Sequence, residues 1–134
     1  MKFLIFNVKE IDLFYRDKVL RIIYFFFKFF VIDVKIEIYF LNYDSIKNIN
    51  FKFRGYFKAT DSISVKNLNN FCIYFCFNYL IHKSYFLNKN IFNEFFFSFS
   101  HSILHNLKYN HEISYFELKK QNIIEKKIFK FFFN

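Results

Sequence analysis

Val34-Lys35-Ile36-Glu37-Ile38-Tyr39-Phe40-Leu41 is the stretch on which the fold turns. Its first half alternates apolar with charged residues, so successive side chains fall on opposite faces of a strand, one face buried and one wet. Upstream, residues 2–7 read as an earlier strand. Between the two, Leu13, Phe14, Val19, Leu20, Ile23, Tyr24 and Phe27 recur at helical spacing, which makes residues 13 to about 28 a long amphipathic helix. Downstream, Asp44-Ser45 can cap a short helix running to about residue 53. Gly55, the only glycine in the chain, follows Arg54 and opens a loop ending near Lys58. Residues 60–65 and 71–77 read as two further strands joined by a turn at 67–70. The remainder has helical patterning over roughly 79–87, 92–107 and 116–129. The order β-α-β-α-β-β-α-α-α predicts an α+β fold, a small mixed four-stranded sheet packed with about five helices. With no repeat or linker in 134 residues, the chain reads as a single domain over 1–134.

Composition narrows the function classes. The 26 Phe and 10 Tyr stand against one Gly, no Pro and no Trp. The favoured residues have A/T-rich codons, so the bias reads as mutational pressure on the genome, and turn glycines are expected to have drifted to Asn or Lys. No single Phe in such a chain is evidence of function. Twenty basic residues against 11 acidic give a net charge of +9, a field that favours polyanions and chiefly nucleic acid. The longest apolar runs, 22–27 and 29–32, are separated by Lys28 and stopped by Asp33. They fall well short of the roughly 18–20 residues a spanning helix needs. The first ten residues carry too short an apolar core for a signal peptide. A cytoplasmic protein with no membrane partner and no dinucleotide cofactor is expected; the sequence leaves the oligomeric state open. Cys72 and Cys76, four apart in an expected strand, would lie about 13 Å from each other, too far for a disulfide, and read as buried thiols. His82 reads as a surface or capping residue.

The chemistry gathers in His101-Ser102-Ile103-Leu104-His105-Asn106-Leu107-Lys108-Tyr109-Asn110-His111, which holds three of the four histidines. On a helix, His101 and His105 leave the same face about one turn apart. A turn after the helix, at Lys108 where the zinc-peptidase pattern has its glycine, can swing His111 back toward them. Three neutral imidazoles with an open fourth position are what a catalytic zinc ion needs. The expected metal site therefore sits at the end of a core helix, in the manner of a zincin. A zinc peptidase of the form His-Glu-x-x-His-x-x-Gly-x-x-His is disfavoured, because Ser102 stands where the general-base glutamate belongs.

The same stretch resembles the signature of the YbeY family of endoribonucleases, His-Gly-x-Leu-His-Leu-x-Gly-Tyr-Asp-His. The three histidines, Leu104 and Tyr109 match in place. Ser102 and Lys108 replace its glycines, Asn106 its leucine and Asn110 its aspartate. A second match lies upstream, where Ile49-Asn50, Arg54-Gly55 and Thr60-Asp61-Ser62-Ile63-Ser64-Val65 are similar to the family's Leu-Asn, Tyr-Arg-Gly and Thr-Asp-Val-Leu-Ser-Phe. Glu94, Glu125 and Ile128 also fall at family positions, so the resemblance spans roughly residues 36–129.

The resemblance implies a metal-dependent, single-strand-specific endoribonuclease acting on 16S rRNA, including its 3′ end. Small-subunit ribosome assembly and quality control follow from it, with rRNA and the small ribosomal subunit as partners. One zinc ion is expected on His101, His105 and His111, with His101 and Arg54 catalytic. The Arg54 guanidinium can take a phosphate bidentately. Thr60, Asp61 and Ser64 are expected to line the cleft or orient its groups, and Glu94 and Asn110 to support the metal ligands. The alternative is a non-catalytic, zinc-containing rRNA-binding assembly factor. A third reading is a metallohydrolase with another substrate.

Overall fold

In the computed structural model the residues described are 3–29, 35–66 and 70–110 with Lys126 and Lys130, the side chains of 104–110 excepted. The elements are β1 (Phe3–Phe6), α1 (Leu13–Phe29), β2 (Lys35–Phe40), α2 (Tyr43–Arg54), β3 (Ser62–Lys66), β4 (Asn70–Phe75), α3 (Phe77–Phe86) and α4 (Ile91–Asn110), with a 3₁₀ turn at Val8–Glu10. They form an α+β fold on a four-stranded mixed sheet of order β1-β2-β4-β3. β1, β2 and β4 run parallel, and β3 returns antiparallel beside β4. Among the described residues there are four α-helices where about five were expected. The helix expected over 116–129 lies outside those residues apart from Lys126, which is helical and exposed.

The alternation in β2 does what its pattern requires. Ile36, Ile38 and Phe40 are fully buried and sit in register with Phe71, Ile73 and Phe75 of β4. On that face lie α1, through Val19, Ile22, Ile23, Phe26 and Phe27, and α4, through Phe95, Phe96, Phe99 and Ile103. Each fully buried Phe or Ile contributes roughly 1.5–3 kcal/mol by leaving water. Phe99 is the hub of this layer. Its ring meets Phe26 edge-on at 5.2 Å, Phe27 at 5.8 Å, Phe75 at 6.0 Å and Phe95 at 5.8 Å. The opposite face carries a smaller cluster in which Ile46 of α2 packs with Ile63 of β3 and Cys76.

Phe6, Tyr39 and Tyr74 stack across three strands on that second face, at 4.6 and 5.2 Å. Tyr39 donates its hydroxyl proton to Glu37 Oε2 at 2.8 Å. That hydrogen bond, then burial, then the glutamate charge push the Tyr39 phenol up to about 12. Cys72 donates to the same carboxylate oxygen at 3.5 Å. Both cysteines are free and buried, and burial raises both thiols.

Several boundaries differ from the sequence reading. β4 stops at Phe75 instead of running to residue 77, because Phe77 turns inward as the first residue of α3 and packs on Phe95 at 5.9 Å. α2 is capped by Asn42, whose side chain accepts the Ser45 N–H at 2.8 Å, and not by Asp44 or Ser45. It ends at Gly55, with φ 78° and its N–H on the Phe51 carbonyl at 3.0 Å. α4 runs unbroken to Asn110, so Lys108 is helical and makes no turn of positive φ. No described helix is long and apolar enough to cross a membrane.

Phe99→Ala should cost about 3–5 kcal/mol, read from urea denaturation midpoints, because a cavity opens where four rings meet. The raised Tyr39 phenol favours the folded state fully below its ordinary value of 10.0, and that contribution fades as pH climbs toward 12. Glu37→Gln should bring the tyrosinate absorbance transition back toward 10.0.

Candidate functional site

The start of β3, the last turn of α3 and the first half of α4 line a cleft of about 400 Å³, formed by Asp61, Ser62, Lys83, Glu94, Phe97, Ser98, His101 and Ser102. α4 supplies five of these, and the spacing of Glu94, Ser98, His101 and Ser102 keeps them on one helical face. Phe95, Phe99 and Ile103, fully buried in the core, fix the rotation of that helix and so the direction of the polar face.

Asp61 organises the opposite wall. Its carbonyl accepts the Cys76 N–H at 2.9 Å, which ties the approach to β3 to the end of β4. Its Oδ1 accepts the Ser62 N–H at 2.8 Å and the Thr60 hydroxyl at 3.3 Å. Its Oδ2 receives Lys83 Nζ at 3.2 Å from α3. The Ser62 and Ser98 hydroxyls meet at 3.2 Å and bridge the hairpin to α4. Glu94 is half-buried at the mouth, with Lys89 Nζ 3.8 Å away. A cleft holding an imidazole, an ammonium, two carboxylates and hydroxyl donors can bind an anionic substrate and move protons on it.

Of the residues singled out from sequence, the structure brings Asp61, Glu94 and His101 together in this cleft. Thr60 stands behind Asp61 and orients it. Ser64 does not line the cleft, because the opening lies at the start of β3 and Ser64 is two residues further along it. Arg54 ends α2, exposed and outside the cleft lining. His105 follows His101 by one turn on the α4 backbone, and Asn110 is the last residue of α4. The His105 and Asn110 side chains and all of His111 lie outside the described residues. Among the described residues no group of three His, Cys, Asp or Glu side chains is placed to hold a metal ion.

Lys83, Ser62 and Ser98 went unpredicted. A signal for Lys83 existed in the hairpin: antiparallel pairing brings Asp61 to the end of β4, and the first cation facing it from α3 is Lys83. His82, by contrast, faces away, with its ring exposed and stacked on Tyr43 of α2 at 5.8 Å.

A mixed sheet with a polar cleft between a hairpin and a core helix carrying His101 and His105 defines a small α+β protein with a histidine-bearing cleft. The profile of the family described as Endoribonuclease YbeY matches residues 7–132. The chain belongs to that family. The solution structure of a Thermotoga maritima protein superposes with a TM-score of 0.60 at 18% identity, covering 96% of this chain and 89% of that one, and so shares the fold. No curated protein sequence matches.

Asp61→Ala should lower stability by about 1–2 kcal/mol in urea titrations, since it strips the Ser62 N–H and Thr60 hydroxyl of their acceptor. Lys83→Gln should cost less than about 1 kcal/mol, because the ion pair it breaks is half-exposed.

Proposed function

We propose that this protein is a zinc-dependent, single-strand-specific endoribonuclease of ribosomal RNA, working in 16S rRNA 3′-end maturation and small-subunit assembly in the cytoplasm. The observation that carries this reading is the family match over residues 7–132, with His101 of the family signature lining a polar cleft. The donor chemistry fits a metal. His101 lines an open cleft, and His105 follows it by one turn on the same helix, the spacing at which two imidazoles share a face. With His111 as the third ligand, the set would hold one zinc ion and leave a position open. An ion held by these residues would supply Lewis-acid chemistry to the phosphoryl group and activate water near neutral pH.

The chain's own residues supply the rest. Lys83, held by Asp61, sets a positive charge in the cleft wall for a non-bridging phosphate oxygen. The Ser62 and Ser98 hydroxyls are donors for the same group. Glu94, half-buried seven residues before His101 on the same helix face, would support the metal ligands from the cleft wall. Arg54, exposed at the end of α2 and outside the cleft lining, would offer its guanidinium to RNA that extends beyond the cleft.

Protein purified without chelators should contain about one zinc per chain and cut single-stranded RNA, with His101→Ala abolishing cleavage and lowering zinc content. Metal together with rRNA binding but no cleavage would turn the reading to an assembly factor. Zinc-free protein that still cuts would remove the metal from the mechanism.

A further inference from the structure

Beyond the cleft, the chain carries an exposed surface that combines rings with cations. All eight residues from Phe51 to Lys58 are exposed, across the last turn of α2 and the loop after it. Phe51, Phe53, Tyr56 and Phe57 show 60, 44, 64 and 63% of their area to solvent. Phe57 turns back over Phe51, edge-on at 6.3 Å, so these two rings form one patch, with Phe53 and Tyr56 exposed on the same turn and loop. The Gly55 cap at φ 78° makes that reversal possible, and Asn50 pins the loop by donating to the Lys58 carbonyl at 2.9 Å. Cations sit among the rings: Lys47 Nζ lies 6.0 Å from the Phe57 centroid and Lys52 Nζ 5.3 Å from that of Phe53. Between residues 45 and 60 there are four basic side chains and no acidic one.

We propose that this patch is a stacking platform for single-stranded RNA, a subsite separate from the cleft, where bases lie on the exposed rings and Lys47, Lys52 and Lys58 meet the phosphates. Three features select this occupant. The charge is of one sign and complements a polyanion. Flat exposed rings stack on any base, which gives binding without sequence preference. Rings and cations alternate along residues 51–58, whereas a membrane-lying helix segregates its apolar face from its charges. The platform is close to the cleft. Phe57 and Asp61 are four residues apart, a separation of at most about 14 Å, short enough for one RNA strand to span both.

The platform takes its ligand from the endoribonuclease reading, yet the two can fail separately. The test is fluorescence anisotropy of a labelled single-stranded oligouridylate against the full chain and its Phe51→Ala, Tyr56→Ala and Phe57→Ala variants, with thermal melting as a control for folding. Each should weaken binding about five- to a hundredfold, and Phe57→Tyr should restore it. Lys47→Gln and Lys52→Gln should each lower the slope of log affinity against log salt by about 0.7, which ring removal leaves alone. Ring variants that melt normally and bind as tightly as the parent would overturn the platform, even if the parent cuts RNA. A parent that binds through these rings and cuts nothing would uphold the platform and sink the nuclease reading. Undiminished RNA binding by Phe57→Ala, combined with lost binding to phosphatidylserine vesicles, would assign the patch to a lipid surface and overturn the platform.

Discussion

The parallel pairing of β2 with β4 is the constraint on which the rest of the structure depends. It sets Ile36, Ile38 and Phe40 beside Phe71, Ile73 and Phe75 and so makes one continuous apolar surface from two distant stretches of chain. α1 and α4 have nowhere else to bury their rings, and their packing on that surface fixes their rotation about their own axes. A slip of one residue in this register would turn Glu37 and Tyr39 into the core and the isoleucines to the other face. The cleft inherits its geometry from the same pairing. α4 aims Glu94 and His101 outward only because Phe95 and Phe99 point in.

Much of the fold was legible because charge marks the wet face. Lys35 and Glu37 reveal the period of two in β2, and the apolar recurrence in α1 reveals its stripe. Legibility failed where every residue was apolar or neutral. Phe75, Cys76 and Phe77 read equally well as strand or helix, and only the pocket that takes Phe77 decides that α3 begins there. Lys108 was expected at a turn on account of the glycine it replaces, but α4 continues past it. The shortage of glycine had the foreseen effect elsewhere. Asn7 and Asn88 adopt positive φ, the conformation that asparagine tolerates best after glycine.

The site was legible in part for the same reason. Glu94 and His101 lie seven apart on one helix, so periodicity alone puts them on a common face. Asp61 came forward through its place in a motif. Lys83 could not be read this way, since its contact with Asp61 joins two elements whose proximity exists only after the hairpin forms. Ser62 and Ser64 share a strand face by their spacing, and only the position of the opening separates their roles.

Asp61 takes part in two structures at once. Its carbonyl closes the sheet against Cys76, while its carboxylate holds the lysine and the serine amide in the cleft. The hairpin wall is therefore anchored to the sheet, and it holds the Lys83 ammonium of α3 in a fixed place at the cleft. A substitution here would keep the carbonyl bond to Cys76, which any residue supplies, and would release the lysine and the serine amide, so the wall would stay while its polar face was lost.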